Sequence, residues 1–403
     1  MSAAAGDPRL AGARRAPRRR MRLSWSDPKL RTIVWQVVIL GVLAAIVCYL
    51  AANTSRNLSA RHIATGFGFL AQPASIPIGE TLLSWTPSVD TYGRAMLIGV
   101  LNTLKVAVVG VVLATIWGTL IGIGRLSGNW LIARLTAIYV ETLRDVPVLL
   151  QLLFWYTLLN ALPGPRQAFH PLPGVFLSNR GIKIPLLEWQ PSHIWVLLAA
   201  VVGVVLTLLW RARAARRQAM SGTRPAVWPI GLLLIAVFPV AVWAALGAPF
   251  ALDVPALRGF NFRGGGTITP EYAALTLGLV VYTASYIAEI VRSGIQAVPH
   301  GQWEAAAALG LHRGFVLRHV VLPQALRVIV PPMTSQYLNL IKNSSLAIAI
   351  GYQDIVSITG TMLNQTGQSI ESIALVMVVY LVFSLSISAF MNWYNAHIAL
   401  VER

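Results

Sequence analysis

Eight long apolar segments constrain this chain more than any other feature of its sequence. Each holds roughly 20 mainly apolar residues, the length at which a helix crosses a hydrocarbon core about 30 Å thick. To within a few residues, they lie at 33–52, 96–123, 132–159, 193–210, 227–246, 272–291, 325–341 and 372–393. We therefore expect an all-α integral membrane protein with about eight transmembrane helices. Kinks are expected at Pro147, Pro323, Pro331 and Pro332, and the last two are expected to kink or break the seventh helix.

The composition supports a membrane protein. Of 403 residues, 56% are hydrophobic and 11% are charged, whereas soluble domains are about 25% charged. The net charge of +18 comes from basic residues in short islands between the apolar segments. Phosphate recognition needs a continuous basic face, so we expect no nucleic-acid binding. Cys48 is the only cysteine and can form neither an internal disulfide nor a thiolate metal cluster.

The basic islands also set the expected orientation, because cytoplasmic flanks of membrane helices are enriched in Lys and Arg. The leader, residues 1–32, and the segment after the fourth helix are rich in arginine, and an even number of helices separates them. Alternation then brings 292–327 and the C-terminus to the same side. We expect an uncleaved anchor helix at 33–52, both termini in the cytoplasm, and outer connections at 53–95, 160–192 and 247–271.

One segment of the expected cytoplasmic connection between the sixth and seventh helices is unusual. The alanine run after Trp303 favours a helix, and Gly310 can supply the positive φ that ends it. Residues 313–321 predict a second short helix before Pro323. The product is a compact helix-turn-helix along the membrane surface, where small side chains allow another backbone to approach closely. A surface helix that is rich in alanine by chance is the alternative.

This segment resembles the EAA loop of permease subunits of ABC importers. The matching residues are Glu304, Ala305, Ala306, Gly310, Leu322 and Pro323. The resemblance implies that 299–324 is the coupling loop, which sits in a cleft of a cytoplasmic ATPase. It implies four kinds of partner: an ABC ATPase dimer, a second homologous permease subunit, a periplasmic amino-acid-binding protein and membrane lipid. The chain has no P-loop motif, so ATP and Mg would be bound by the ATPase, and this chain would hold no cofactor.

Other stretches, at 99–105, 141–152, 286–295 and 323–346, resemble permeases of polar amino-acid importers of the histidine, glutamate and glutamine type. The resemblance implies a five-helix type I ABC importer core, and the layout is most similar to the larger permease of broad-range L-amino-acid importers. The expected organisation follows the chain: a basic cytoplasmic leader at 1–32, the anchor helix at 33–52, the first two core helices at 96–160, an insertion with two extra helices and outer loops at 161–270, and three core helices at 271–396.

Ionisable residues in the third apolar segment point to a transport path. A charge near the bilayer centre costs several kcal/mol unless it is paired or hydrated. A zwitterionic amino acid needs a donor for its carboxylate and an acceptor for its ammonium group. The candidates are Glu141, Arg144, Asp145, Gln151, Lys342, Asn343 and Ser344. A structural ion pair between Glu141 and Arg144 remains an alternative. Glu289 with Arg292 predicts a structural pair, and Lys105 could face the path or an interface.

The predicted function is therefore that of a membrane-spanning permease subunit of an ATP-binding-cassette importer. It would translocate L-amino acids across the bacterial inner membrane by alternating access, with ATP hydrolysed by separate subunits. We expect no enzyme activity and no catalytic residue, since only 14 acidic residues are present, and no metal site, since the histidines are scattered. The alternative is an ion-coupled secondary transporter of small polar solutes, although no inverted repeat of helix groups is visible.

Overall fold

The computed structural model describes residues 28–60, 65–222, 225–248 and 250–398. It divides into two units, with the boundary after Gly66. The first unit contains α1 (Pro28–Ala60), which includes the expected anchor segment. Most of its large apolar side chains between Ile33 and Leu50 are exposed, as expected of a helix that contacts lipid. Most of the basic leader, and the last five residues of the chain, lie outside the described residues.

The second unit consists mainly of helices. In chain order they are α2 (Tyr92–Arg125), α3 (Trp130–Asp145), α4 (Val148–Asn160), α5 (His193–Ser221), α6 (Trp228–Leu232), α7 (Phe238–Ala245), α8 (Pro270–Gln296), α9 (His300–Ala308), α10 (Arg313–Val316), α11 (Leu322–Asn343), α12 (Ile355–Thr366) and α13 (Ser369–Ile398). Wider π turns join α6 to α7 and α10 to α11. Seven helical stretches of the described chain are long and apolar enough to cross a membrane.

The third expected segment, 132–159, differs from the prediction because it is two helices. α3 ends at Asp145, Val146 is extended, and Pro147 precedes the first residue of α4. Proline lacks an N–H group and disfavours the helical conformation in the residue before it, so the helix breaks here. The two halves have 16 and 13 residues. At 1.5 Å per residue only their combined length matches a membrane crossing.

The helix is not broken at Pro323, Pro331 or Pro332, the other prolines where a kink was expected. Pro323 is the second residue of α11, which directly follows the π turn at Leu317–Val321, and the helix is not interrupted there. The expected second short helix therefore continues through the π turn at Leu317–Val321 into α11, instead of ending before Pro323. Pro331 and Pro332 lie inside α11 without interrupting it. Of the two outcomes expected at these prolines, a kink or a break, the break does not occur.

The centre of the second unit is the contact between α2 and α8. A Cβ atom built on Gly118 would lie 2.7 Å from the Ile287 Cβ atom, and one on Gly122 would lie 2.7 Å from the Ala288 carbonyl oxygen. Glycine at these positions lets the two backbones approach, which is how membrane helices gain packing energy. Buried apolar residues of α2, α8 and α11 form one core around this contact.

The outer connections contain small antiparallel strands that the sequence analysis did not predict. The strands are β1 (Phe169–Leu172), β2 (Val175–Ser178), β3 (Gly181–Ile184), β4 (Leu186–Leu187), β5 (Leu252–Asp253), β6 (Ala256–Arg258), β7 (Asn261–Arg263) and β8 (Gly266–Ile268). One sheet has the order β1-β2-β3-β8, and β4 pairs with β5 and β6 with β7. The β3–β8 and β4–β5 pairs join the connection before α5 to the connection after α7.

The link between α11 and α13 contains a helix that the search for long apolar segments did not predict. A 3₁₀ turn at Ser344–Ile350 is followed by α12, which packs on α2 and α13. The backbone N–H of Ile355 donates to the Thr103 hydroxyl at 3.1 Å. A Cβ atom on Gly99 would lie 3.0 Å from the Ile355 Cα atom. α12 is therefore part of the core and not a surface loop.

Candidate functional site

The segment between α8 and α11 forms the short exposed helix that the sequence predicts. α9 begins after Pro299 and ends at Ala308, and Gly310 has φ +68°. The backbone N–H of Leu311 returns to the Ala306 carbonyl at 3.2 Å. A positive φ just after a helix, with N–H groups returning to the last turn, is the usual glycine stop. The chain therefore reverses sharply between α9 and α10.

The two faces of α9 have different surroundings. Ala306 is 4% exposed and belongs to the core with Val316 and Ala325. Glu304 and Ala305 are exposed, as are Gly310 and Leu322, while Pro323 is half-buried. Ala306 therefore attaches α9 to the helices behind it, and the other side is free to contact a partner.

A groove of about 480 Å³ runs beside α9. It is lined by His300, Trp303, Glu304, Ala307, Leu311, Arg313 and Val316. The floor is mainly apolar, while a carboxylate and a guanidinium group stand at its edge. Of these residues, the motif identified Glu304 alone. Ala307 lines the groove, and its small side chain leaves the groove open. Apart from that small size, the sequence gave no signal for this residue.

The candidate path residues on α3 are all exposed. Among the described residues, neither Glu141 nor Asp145 has an ion-pair partner, and Glu141 does not pair with Arg144. The Arg144 guanidinium carbon lies 5.1 Å from the ring centre of Tyr286 on α8. Unpaired charges this close to a helix break cannot face acyl chains without a large cost.

Gln151 is buried, unlike the candidate path residues on α3. It is 5% exposed, and its side-chain nitrogen donates to the Leu143 carbonyl at 2.9 Å and to the Val146 carbonyl at 3.0 Å. These carbonyls belong to the end of α3, where backbone acceptors have no partner within the helix. Gln151 therefore stabilises the break between α3 and α4.

Replacing Gln151 tests this structural role. We expect Gln151→Leu to destabilise the protein by about 1–3 kcal/mol, because two half-buried carbonyl oxygens lose their donor. The measurement is the thermal unfolding midpoint in detergent. Gln324→Leu is the matched control, since the Gln324 amide also donates to a helix carbonyl but is partly exposed. Equal losses in the two variants would contradict a special role for Gln151.

The remaining candidates lie at the end of α11. Lys342 is exposed, Asn343 is half-buried and Ser344 is 1% exposed, its hydroxyl donating to the Ile341 carbonyl at 2.7 Å. The turn that follows, Ser344–Ile350, packs against α4 and α8. The fold thus places the end of α11 beside the second half of the broken helix.

The predicted pair of Glu289 and Arg292 is present and extends to a third residue. Arg292 Nε donates to Glu289 Oε2 at 3.1 Å, and the Arg125 guanidinium also pairs with Glu289. Arg125 is the last residue of α2, and Glu289 lies on α8. One carboxylate therefore fastens the end of α2 to α8 just before the connection that carries α9.

Lys105, whose direction the sequence left open, contacts an acidic side chain and an aromatic ring. It pairs with Glu80 and lies 4.0 Å from the ring centre of Tyr272. The Thr269 hydroxyl donates to Glu80 Oε2 at 2.7 Å. The connection before α2 is thereby held to α2 and to the start of α8.

Asp354 is a buried acidic residue that the sequence analysis missed. It precedes α12, outside the segments that are long enough to span a membrane, and its Oδ1 accepts from the Ser357 backbone N–H at 2.8 Å. Its side chain is fully buried, and Oδ2 has no hydrogen-bond partner among the described residues. Burial raises the pKa of the Asp354 carboxyl from 3.8 to about 7, although the capping hydrogen bond opposes the shift.

This raised pKa predicts a pH dependence of stability. The folded protein keeps the proton up to about pH 7, while the unfolded chain releases it near pH 4. Stability should therefore fall as pH rises between these values, by on the order of a few kcal/mol, and then level off. Asp354→Asn keeps the capping oxygen and should flatten the profile between pH 5 and 8 in thermal unfolding. An unchanged profile in the variant would contradict this account.

Comparison with known proteins agrees with this arrangement. The family model described as "Binding-protein-dependent transport system inner membrane component" matches residues 222–400. A putative amino-acid ABC transporter permease protein of Escherichia coli is 50% identical over 94% of this chain and 97% of its own. A general L-amino acid transport system permease protein of Rhizobium johnstonii is 49% identical over 94% of both chains. The glutamate/glutamine/aspartate/asparagine transport system permease protein of Rhodobacter capsulatus is 40% identical over both full lengths.

The long apolar helices, the exposed α9 and these matches define the class of protein: a multi-pass membrane subunit of a transport system, and not an enzyme. A solved amino acid ABC transporter with histidines covers 76% of this chain at 20% identity, with a TM-score of 0.46. The chain belongs to the family of ABC transporter permease proteins. Its fold is the all-α type I ABC importer fold, and its class works with a separate ATPase and a binding protein.

Proposed function

We propose that this chain is a permease subunit of an importer of L-amino acids in the bacterial inner membrane. The support is that relatives matching nearly the whole chain are named as amino-acid permeases. One of them is named for general L-amino acids, and another for glutamate, glutamine, aspartate and asparagine. The alternative, an ion-coupled secondary transporter, is not favoured, because the energy source of this family is a separate ATPase.

The observation that carries the mechanism is the position of α9. It lies between the two membrane helices α8 and α11, exposes Glu304, Ala305 and Gly310, and is fastened from behind by Ala306. In the proposal, the groove beside α9 receives an ATPase subunit of a dimer that binds ATP and Mg. Because α9 packs on the π turn that joins α10 to α11, a push on α9 would reach α11 through this contact, with Leu322 and Pro323 at the junction.

The uncovered charges of α3 support the proposal of a second, homologous permease. Glu141, Arg144 and Asp145 are exposed beside the helix break, and a sister subunit would cover them while leaving a hydrated path. Arg144 would bind the amino-acid carboxylate, and Glu141 or Asp145 would bind the ammonium group. Lys342, Asn343 and Ser344 would line the next part of the path. Gln151 would keep the break in place.

The proposed orientation places α9 and both termini in the cytoplasm and the strands at the periplasmic side. Alternating access follows from this arrangement. A periplasmic binding protein delivers the amino acid to the outer connections, and closure of the ATPase dimer on ATP moves the two α9 helices of the permease pair. The helices then swing and open the path inward.

Copurification from native membranes tests the proposal. The chain is tagged at its C-terminus, and wild type is compared with Ala307→Arg, which fills the groove, and with Ala307→Ser, which leaves it open. We expect the ATPase and a second permease with wild type and with the serine variant. The arginine variant should lose the ATPase and keep the second permease, since Ala307 is exposed and α9 stays folded. A chain that purifies alone and moves solute without ATP contradicts the proposal.

A further inference from the structure

The outer connections that carry the strands have an excess of positive charge. Between α4 and α5, and between α7 and α8, the five basic residues are Arg166, Arg180, Lys183, Arg258 and Arg263, against Glu188 and Asp253. The Asp253 carboxylate already accepts a hydrogen bond from the Gly265 backbone N–H at 2.8 Å. Among the described residues, no acidic side chain pairs with any of these arginines. On the proposed periplasmic side, such an excess runs against the usual bias of membrane proteins.

Arg258 belongs to the β6–β7 hairpin, and Arg166 contacts its tip. Gly259, with φ +68°, and Phe260 form its turn. The Phe260 ring is 72% exposed. Arg258 precedes the turn, and the guanidinium carbon of Arg166 lies 4.1 Å from the Phe260 ring centre. The tip thus combines an exposed aromatic ring with two guanidinium groups that have no carboxylate partner.

The chain tethers this tip close to the membrane. Arg166 follows the last residue of α4, Asn160, by only six positions, so even a fully extended link spans at most about 21 Å. The stacking of Arg166 on Phe260 brings the hairpin tip to the same place. The sheet is also connected to α5, and Trp189, 61% exposed, lies just before that helix. Aromatic and basic side chains are the residues that membrane proteins place at the level of the lipid headgroups.

We propose that the hairpin tip, formed by Arg166, Arg258 and Phe260, binds the headgroups of anionic phospholipids. The planar guanidinium groups match phosphate oxygens in a bidentate arrangement. The Phe260 ring enters the boundary between headgroups and acyl chains. Stacking covers one face of the Arg166 guanidinium and leaves its N–H edges free to donate. The contact gives the insertion a lipid preference that is independent of which solute is carried.

Fluorescence in lipid nanodiscs tests this proposal on the full chain. Leu257, beside the tip and 44% exposed, is changed to cysteine in a Cys48→Ser background and labelled with bimane. Discs contain phosphatidylcholine alone or equal parts of phosphatidylcholine and phosphatidylglycerol. Quenching by lipids that carry a nitroxide on the acyl chain reports contact with the bilayer. Each arginine is expected to add about a fivefold preference for the anionic disc, hence about 25-fold for the pair.

The expected result is stronger quenching in anionic discs, loss of that difference in the double variant Arg166→Gln with Arg258→Gln, and its retention in Arg180→Gln. The last variant removes the same charge from the loop between β2 and β3. Equal quenching in both discs would overturn the lipid preference. Absence of quenching in both would place the tip away from the bilayer. A response that needs added binding protein would make the tip a protein-docking surface and overturn the proposal.

Discussion

Gly118→Leu is expected to abolish the folded protein in membranes. Its Cβ atom would lie 2.7 Å from the Ile287 Cβ atom and 2.8 Å from the Ala284 carbonyl oxygen. A backbone oxygen cannot rotate away as a side chain can, so α2 and α8 would have to separate along the centre of the core. Overpacking typically costs about 1–3 kcal/mol and occasionally more, and the upper end is expected here because a backbone atom has to move. The measurement is the amount of monodisperse protein recovered in detergent.

The matched control for this prediction is Gly41→Leu. Gly41 also lies in a long apolar helix, but a Cβ atom there has no neighbour within 4 Å. The control should be recovered at the wild-type level, because the added side chain contacts only lipid. Equal recovery of Gly118→Leu and wild type would show that α2 and α8 do not pack as closely as described.

Arg144→Gln is expected to remove transport while leaving the complex assembled. Arg144 forms no ion pair among the described residues and contacts Tyr286 through its guanidinium face. Its replacement should therefore leave the fold intact. If it binds the substrate carboxylate, losing a charged donor costs about 1.5–3 kcal/mol, or at least tenfold in uptake rate. The measurement is ATP-dependent uptake of labelled L-glutamine into proteoliposomes that contain the complete transporter.

Arg134→Gln provides the comparison for Arg144→Gln. Arg134 is exposed on the same helix, ten residues before Arg144, and the substitution removes the same charge. We expect it to retain uptake, because it lies near the opposite end of α3 from the break. Full uptake by Arg144→Gln, or equal loss in both variants, would count against a carboxylate site at Arg144.

The sequence could predict the features that depend on local patterns. Segment length and hydropathy predicted the long helices, because a membrane crossing requires about 20 apolar residues. The alanine run followed by Gly310 predicted α9 and its stop, because helix propensity and positive φ are local properties. The i, i+3 spacing predicted the pair of Glu289 and Arg292.

The sequence did not predict the features that depend on contacts between residues far apart in the chain. Four prolines looked alike in the sequence, yet only Pro147 separates two helices, with the buried Gln151 amide bonded to carbonyls at the end of α3. Pro323 lies just after a π turn and does not interrupt the helix that runs from α10 into α11. The strands of the outer connections are two to four residues long and depend on pairing across the inserted helices. Arg125 joined Glu289 from a different helix, which spacing alone cannot reveal.

One missed element did have local signals. α12 begins after the capping residue Asp354 and ends just before Gly367, which has φ +70°. Aspartate before a helix and glycine after it are the usual start and stop signals. At 12 residues, α12 is too short for a membrane crossing, so a search for long apolar segments does not find it. A search for helix caps would have placed it.

The central claim is that α9 contacts a separate ATPase, and photo-crosslinking in living cells tests it most directly. A photoreactive amino acid replaces Leu309, which is 77% exposed just after α9, and in a second strain Val89, 71% exposed in the connection before α2. Neither side chain supports the core, so both variants should fold. The account predicts an ATPase subunit crosslinked from position 309 and none from position 89. An ATPase captured from position 89, or none from position 309, would contradict it.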